Sequence, residues 1–485
     1  PPSWSSTGKK KNDIRWDCLS VDRKNQKHLY AKPCYPVSME ISASVLVQHI
    51  NSLVWGTGTP REDIFARWCQ GFRFSSLEPT ALCQETSGPC AVIAAVQAAI
   101  LREVLCRRRV GLPIPTDFDS GELLVLSLIE IFETVSHGER NSTFFFFRWD
   151  GSFDEGAYSG GKTPFQEFVD GLKLVSLDST DELQAIIMSL IPQIMSSYGL
   201  LCFLYSILLT HGLEDVKKGM VGETDTLIDP TFGSASQCLL NLLITGRSSP
   251  HLFDGERTLS GFTMQGVTAQ PKTGFLTVVE ALRYCEVGWY LKNPSTPIWI
   301  LGSETHFTVL ASDNRDLVSV EEPLSAPDNP QSTSCRPRAN LRQAEREFTS
   351  LTENSDSGFL SYEQFEVLLD RLGLPVDQQS VAAAKGVIDS EGLGIILREP
   401  FLAYYYAEEL QRESSPVSSF RLLHYNGLAA SNSNGRIRYR YGEANLLDPV
   451  DDTNPTGSSP LDRCLKTKWP TIRVTWSNEP TPSLN

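Results

Sequence analysis

The stretch Ser87–Leu105, SGPCAVIAAVQAAILREVL, decides how the rest of this sequence is read. It is the clearest helix in the chain. Ser87 or Gly88 can act as N-cap, and Pro89 suits the first turn, where its missing N–H is an orphan in any case. Ala, Ile and Leu fill the interior, and Arg107–Arg109 follow the C-terminal end, where the helix dipole favours cations. Cys90 sits in the first turn. Backbone N–H groups point outward there with about half a positive charge, so a thiolate is stabilised and its pKa is expected to fall. Gly88 lets another backbone approach closely. The plain alternative is a cysteine packed as a small hydrophobe.

Gln84 lies upstream on the loop entering this helix. Its amide can donate to the oxyanion that forms when a thiolate attacks a carbonyl, although a solvated loop glutamine has the same sequence appearance. Cys83, beside it, reads as structural. A thiol hydrolase also needs a base, and the chain has 7 histidines. His306 opens the second strand of a hairpin: Pro297–Leu301 (PIWIL), a turn at Gly302–Thr305, then His306–Ala311 (HFTVLA). A strand-borne histidine facing a helix-borne cysteine is the geometry of papain-like hydrolases. The other six lie in the tail, on helix-like segments, beside loops or, as His424, in a Leu-rich strand. Four residues close to His306 in sequence can orient its ring, Glu304, Asp313, Ser303 and Asn314, and nothing selects among them. Trp68, Trp299 and Phe307 are candidate walls for a narrow cleft, with core packing the simpler reading of each.

Composition narrows the class. In 485 residues, 41% are hydrophobic and 21% charged, which is ordinary globular usage. The net charge of −15 and pI near 5.1 disfavour nucleic acid as a partner, because phosphates are repelled. The longest apolar run, Leu200–Leu209 (LLCFLYSILL), is half of the ~20 residues a bilayer requires, so it reads as a buried element and no membrane partner is expected. The 11 cysteines are odd in number and contain no CxxC pair. A disulfide framework and a cysteine-based metal site are therefore not expected, nor is any cofactor, and the reducing nucleus or cytoplasm is the expected compartment. The start, PPSWSSTGKKKND, lacks the apolar core of a signal peptide and opens on Pro1, so the true N-terminus is expected to lie beyond it.

The expected organisation has four parts. Residues 1–40 are a polar, basic tail, read as disordered. Residues 41–325 are the main catalytic part, with helices beginning at Leu46 and Ile64, then over Leu123–Val135, Thr180–Leu209 (two helices broken near Ser197–Gly199) and Cys238–Leu243. A strand is expected at Phe144–Trp149, a loop at Asp229–Ser234 and a helix over LTVVEALRYC (276–285). Residues 341–410 are a helical block after a Ser-, Asp- and Pro-rich linker. Residues 415–485 return to short strands (RLLHYNGL, RIRYRYG, TIRVTW) that complete the catalytic part.

Within the helical block, Glu353–Gln364 (ENSDSGFLSYEQ) has the EF-hand loop's glycine at Gly358 and an apolar residue at Leu360. Its ligand positions are poor: Glu353, Ser355, Ser357 and Gln364 stand where Asp, Asp or Asn and a bidentate Glu are wanted. A second loop, Asp389–Pro400 (DSEGLGIILREP), ends in Pro and puts Leu393 at a ligand position. The pair reads as an EF-hand-like module that has lost calcium.

Several collinear stretches resemble the MINDY family of deubiquitinases. They are Gln84–Val96 (QETSGPCAVIAAV), FLYSILLT (203–210), LIDPTFGSASQCLLNLLITG (227–246), ALRYCEVGWYLK (281–292), PIWILGSETHFTVL (297–310) and the C-terminal LKTKWPTIRVTWSNEPTPSLN. The resemblance runs from about Leu53 onward, leaves out the basic tail, and is nearest to the branch with an EF-hand-like insert. It implies an α+β, papain-like cysteine hydrolase fold. It also implies a thiol protease of the ubiquitin pathway that cleaves isopeptide bonds in lysine-48-linked polyubiquitin conjugated to proteins. Cys90 then matches the nucleophile, His306 the general base and Gln84 the oxyanion-side glutamine. Polyubiquitin chains and ubiquitinated proteins are the implied partners. The alternative is a catalytically weak or inactive polyubiquitin-binding scaffold.

Overall fold

Six strands form the sheet on which the site is built: β1 (Gly274–Thr277), β2 (Ile298–Gly302), β3 (Phe307–Ala311), β4 (Ser419–Tyr425), β5 (Arg440–Leu446) and β6 (Ile472–Trp476). They lie side by side in chain order, with β1 and β2 parallel and every later neighbour antiparallel. The computed structural model describes residues 44–136, 143–151, 162–220, 226–259, 262–318, 341–352, 359–390, 392–407, 419–432, 435–447, 459–477 and 480–485. The tail expected over 1–40 lies outside them, as do most of the linker and residues 353–358 of the first calcium-type loop.

Both faces of the central strands are covered, which is why PIWIL and FTVLA read as continuous apolar runs rather than alternating ones. Ile298, Ile300, Val309 and Ala311 pack on one side, and Trp299, Leu301 and Leu310 on the other. Helix α1 (Cys90–Arg102) lies across β2 and β3 on the first side, and all 13 of its residues are buried. Behind it pack α2 (Ser120–Val135), α3 (Gly199–His211) and α4 (Gln237–Thr245), with α3 against the strand pair Phe144–Trp149 and Leu172–Leu177. Leu200–Leu208 is wholly buried. Among the described residues no single helix is long and apolar enough to cross a membrane, and α3 meets the next helix at an 89° bend.

One buried polar residue fixes α1 to the strand before it. Gln97 accepts the Leu82 N–H at 2.7 Å and donates to the Thr80 carbonyl at 2.9 Å and the Tyr439 hydroxyl at 3.1 Å. Deleting that amide strands the Leu82 N–H, at about 1–3 kcal/mol, while the Thr80 carbonyl keeps the Tyr439 hydroxyl at 2.8 Å.

Residues 341–407 hold α5 (Leu341–Thr352), α6 (Tyr362–Arg371), α7 (Gln378–Ile388) and α8 (Arg398–Tyr405) around a core of their own that includes Phe348, Phe365, Leu368 and Phe401. The connections α5–α6 and α7–α8 meet in a two-residue antiparallel pairing, Leu360 with Ile396 and Ser361 with Ile395. The second side of the main sheet is closed by α9 (Pro460–Lys466) through Leu461, Cys464 and Leu465.

Two expected elements differ. Residues 276–285 are not one helix. Gly274–Thr277 is fully buried strand, Thr277 Oγ1 then accepts the Val279 N–H at 3.1 Å to start a one-turn helix, Val278–Ala281, and Arg283 ends the turn at φ 65°. Parallel pairing with β2 draws Leu276 and Thr277 into the sheet, so only one turn of the expected helix remains. The strand expected at RIRYRYG begins at Arg440, because its register is set by β4, with Arg440 opposite His424.

Candidate active site

Cys90 is the first residue of α1 and only 4% exposed. The loop before it is braced from two directions. Gln70 accepts the Glu85 N–H at 3.1 Å and donates to Thr86 Oγ1 at 2.9 Å and the Arg67 carbonyl at 2.7 Å. Gly88 has φ 131°, and a Cβ there would come within 3.1 Å of both the Gly233 carbonyl and Trp68 Nε1. Trp68 itself donates to that carbonyl at 2.9 Å, so the Asp229–Ser234 loop closes over the approach to Cys90. The Cys90 thiol points to the Gly88 carbonyl at 3.8 Å.

His306 stands one residue before β3, which begins at Phe307 and not at His306 as expected. Ser303 Oγ accepts the His306 N–H at 2.9 Å, and the Ser303 N–H donates to the His306 carbonyl at 2.9 Å. These bonds fix the backbone and leave the ring free to turn to another element. That element is the exit of β4. His306 Nε2 lies 3.0 Å from Asn426 Oδ1, and both residues are buried. The same oxygen accepts the Leu428 N–H at 3.0 Å, so Nε2 must be the donor and carries the ring proton. Nδ1 is then the basic nitrogen. Asn426 is held in turn by its Nδ2, which donates to the Ser483 carbonyl at 3.2 Å and the Asn485 carbonyl at 3.4 Å.

None of the four residues considered from sequence as partners of the His306 ring takes that place. Glu304 is exposed, Ser303 serves the backbone, Asp313 pairs with Arg421 and accepts the Leu112 N–H, and Asn314 caps a short turn through the Asp316 N–H. Asn426 is no chain neighbour of His306: the antiparallel sheet brings this residue, 120 positions away, alongside it. The available signal was the strand-ending HYNGL at 424–428, since cysteine–histidine pairs of papain type are oriented by an asparagine.

Gln84 is buried beside this exit: its N–H donates to the Gly427 carbonyl at 2.8 Å, and it bridges to Leu428. Its side-chain amide donates to the Thr86 carbonyl at 2.9 Å. Trp68 and Trp299 are fully buried, while Phe307 is half-buried.

Electrostatics depart from the sequence expectation. Burial pushes the Cys90 thiol up to about 11, against the lowering effect of the Phe307, Ala91 and Cys90 backbone N–H groups. The helix mouth does stabilise the thiolate, but desolvation is larger. Phe307 follows His306 directly, so that backbone contact brings the sulfur to the histidine-bearing turn. Burial also holds His306 below the ordinary imidazole value, partly offset by the Asn426 bond. Cys90 and His306 share no hydrogen bond, and each is neutral near pH 7.

Among the described residues no group of three or more His, Cys, Asp and Glu side chains is placed to hold a metal ion. The eight described cysteines are free thiols.

Residues 57–324 match the family described as "Deubiquitinating enzyme MINDY-3/4, conserved domain". The chain is 36% identical over 465 residues to ubiquitin carboxyl-terminal hydrolase MINDY-3 of Homo sapiens, covering 91% of this chain and 100% of that protein. It is 32% identical over 493 residues to the MINDY-3 homologue of Drosophila melanogaster, covering 90% and 83% respectively. A shorter match joins it to the probable ubiquitin carboxyl-terminal hydrolase MINDY-4 of Mus musculus, at 30% over 266 residues, 51% of this chain and 34% of that protein. No solved structure matches. By the family match and by near-complete alignment to these hydrolases, the chain belongs to the MINDY-3/4 family of deubiquitinating enzymes.

Proposed function

We propose that this cysteine-type deubiquitinase hydrolyses isopeptide bonds in lysine-48-linked polyubiquitin, with Cys90 as nucleophile, His306 as general base and acid, Asn426 as the orienter of His306, and Gln84 as oxyanion donor. The carrying observation is the bond from His306 Nε2 to Asn426 Oδ1 at 3.0 Å, in a turn whose next backbone N–H acts on the Cys90 sulfur. A buried cysteine at a helix start, a histidine at a strand start and an asparagine on the neighbouring strand support a papain-like arrangement. In this reading residues 41–325 and 415–485 form one catalytic part, and 341–410 is an EF-hand-like insert. The pairing of Leu360 with Ile396 joins the eighth positions of its two loops. Calcium has no role in it: Asp389, at the first ligand position of the second loop, accepts from Tyr362, Leu393 and Gly394 at 2.7–2.9 Å, and Leu393 is 64% exposed.

His306 Nδ1 takes the thiol proton as Cys90 Sγ attacks the carbonyl carbon of ubiquitin's C-terminal glycine. The Cys90 backbone N–H and Gln84 stabilise the tetrahedral oxyanion, which requires the Gln84 amide to leave Thr86 or to use its second N–H. His306 returns the proton to the departing lysine amine, leaving a thioester. It then draws a proton from water, hydroxide displaces the sulfur, and the carboxylate and free thiol are restored. The linkage preference rests on the family resemblance. Dispersed free thiols support a reducing compartment, nucleus or cytoplasm.

A second reading, a restrained enzyme acting chiefly as a polyubiquitin-binding scaffold, is favoured by the high pKa of Cys90 and the missing bond to His306. A time course against ubiquitin dimers and longer chains of every linkage, with Cys90→Ala alongside, separates the two. Cleavage of lysine-48 chains that vanishes in Cys90→Ala supports catalysis. Retained binding without cleavage by the wild-type chain supports the scaffold, and cleavage by Cys90→Ala refutes the nucleophile.

A further inference from the structure

The far end of the nucleophile helix carries a second site. A half-open cavity of about 390 Å³ lies where α1 passes into the π-helical turn Glu103–Arg107. Every charged residue lining it is a cation, Arg102, Arg107, Lys272 and Arg315, in a chain whose net charge is −15. Ser295, Thr296 and Cys106 complete the polar wall.

The floor is built and buried. Arg102, with 8% of its side chain exposed, pairs with Glu130 through one terminal nitrogen and donates to Thr273 Oγ1 at 2.5 Å through the other. Arg107 reaches the second Glu130 oxygen at 3.0 Å, and Lys272 lies 3.9 Å from the first. Glu130 is thus shared among three cations. Among the described residues no carboxylate pairs with Arg315, whose guanidinium donates to the Cys106 carbonyl. The Nε of Arg102 is buried and without any acceptor. A buried unsatisfied donor costs about 1–3 kcal/mol, and for a charged group more. Among the described residues no group supplies the missing acceptor.

We propose that this cavity binds a phosphate-bearing small anion, a phosphate monoester or polyphosphate, held by the exposed cations Arg107, Lys272 and Arg315 over the buried guanidinium of Arg102. Planar guanidinium groups and an ammonium converging on one cavity suit a multiply charged phosphate, and the volume admits a molecule up to nucleotide size. The site is not the substrate cleft. Cys90 opens α1 and Arg102 closes it, about 18 Å away along the axis. A bound anion joins the end of α1 and its π-helical turn, the approaches to β1 and β2, and the segment after β3, so it stabilises the layer that carries both Cys90 and His306.

The test is titration calorimetry of the full chain with inorganic pyrophosphate, with sodium chloride of equal ionic strength as control. Phosphatidylcholine vesicles with and without phosphatidylinositol 4,5-bisphosphate form a second arm. Lys272→Ala and Arg315→Ala are the variants, both at exposed positions, with circular dichroism to verify folding. Saturable one-site binding of pyrophosphate that weakens about tenfold in each folded variant supports the site, and vesicle binding lost in the same variants assigns it to a lipid headgroup. Absence of heat and of vesicle binding, or binding unchanged in both variants, overturns it.

Discussion

At the scale of single residues, the site is a set of buried neutral groups held for a charge that develops only during reaction. Asn426 fixes the proton of His306 on Nε2 and so leaves Nδ1 for the thiol. Replacing Asn426 by Ala frees the ring to rotate and to change tautomer. Chain cleavage is expected to fall by roughly 10²-fold, at the lower end of what a positioned acid–base group contributes, with about 1–3 kcal/mol of stability lost as the Leu428 N–H is stranded. Wild-type rates in that variant would remove Asn426 from the machinery. The thiol gives a second prediction. Its pKa is pushed up to about 11 by burial, so the thiolate fraction at neutral pH is small. Alkylation of Cys90 by iodoacetamide in the free enzyme, followed by mass spectrometry of its peptide, is expected to climb about tenfold per pH unit from pH 7 and to level off only near 11. A plateau near neutral pH contradicts the closed, uncharged pair.

Elements explain which part of this was legible beforehand. The helix at Cys90 and the hairpin before His306 announce themselves, because a Gly-Pro start and an apolar run around a polar turn are local signals. Gln84 could be found by its nearness to that helix. Asn426 could not be reached by proximity, since its role depends on β4 lying against β3, and strand pairing over more than a hundred residues leaves no local mark. The thiol's charge state differs from expectation for a related reason. The helix mouth is visible in sequence, whereas the tertiary packing that buries Cys90 is not. The helix expected at 276–285 is cut to one turn, its first two residues drawn into parallel pairing with β2, again a tertiary effect. The segment around Leu484 carries a prediction of its own. Leu484 is buried against the sheet's second side, and its neighbours Ser483 and Asn485 hold Asn426. Leu484→Ala is expected to cost about 2 kcal/mol and to lower the cleavage rate more than chain binding, read as a kcat effect with KM nearly unchanged. A change confined to KM contradicts a brace on His306.

Over the whole molecule, acid stability is set by buried histidine. His424 is fully enclosed, accepts or donates at 3.1 Å to Thr308 Oγ1, and is lowered to about 3 by burial, with His306 and Arg440 adding to the effect. The unfolded chain protonates this group near 6.5 and the folded chain does not. Stability is therefore intact above pH 6.5 and declines as pH falls toward 3, by up to about 1.4 kcal/mol per pH unit. Urea unfolding between pH 7 and 4 measures the slope, and His424→Gln is expected to flatten it. An equal slope in that variant assigns the acid sensitivity elsewhere.

The account rests on Cys90 being the sulfur that meets ubiquitin's C-terminus, delivered to His306 by the packing of α1 on β3. The most direct measurement is labelling of the full chain with ubiquitin bearing a C-terminal electrophile, followed by mapping of the modified residue. The account predicts a single adduct on Cys90, formed more slowly in Asn426→Ala. An adduct on another cysteine, or unimpaired labelling of Cys90→Ala, contradicts it.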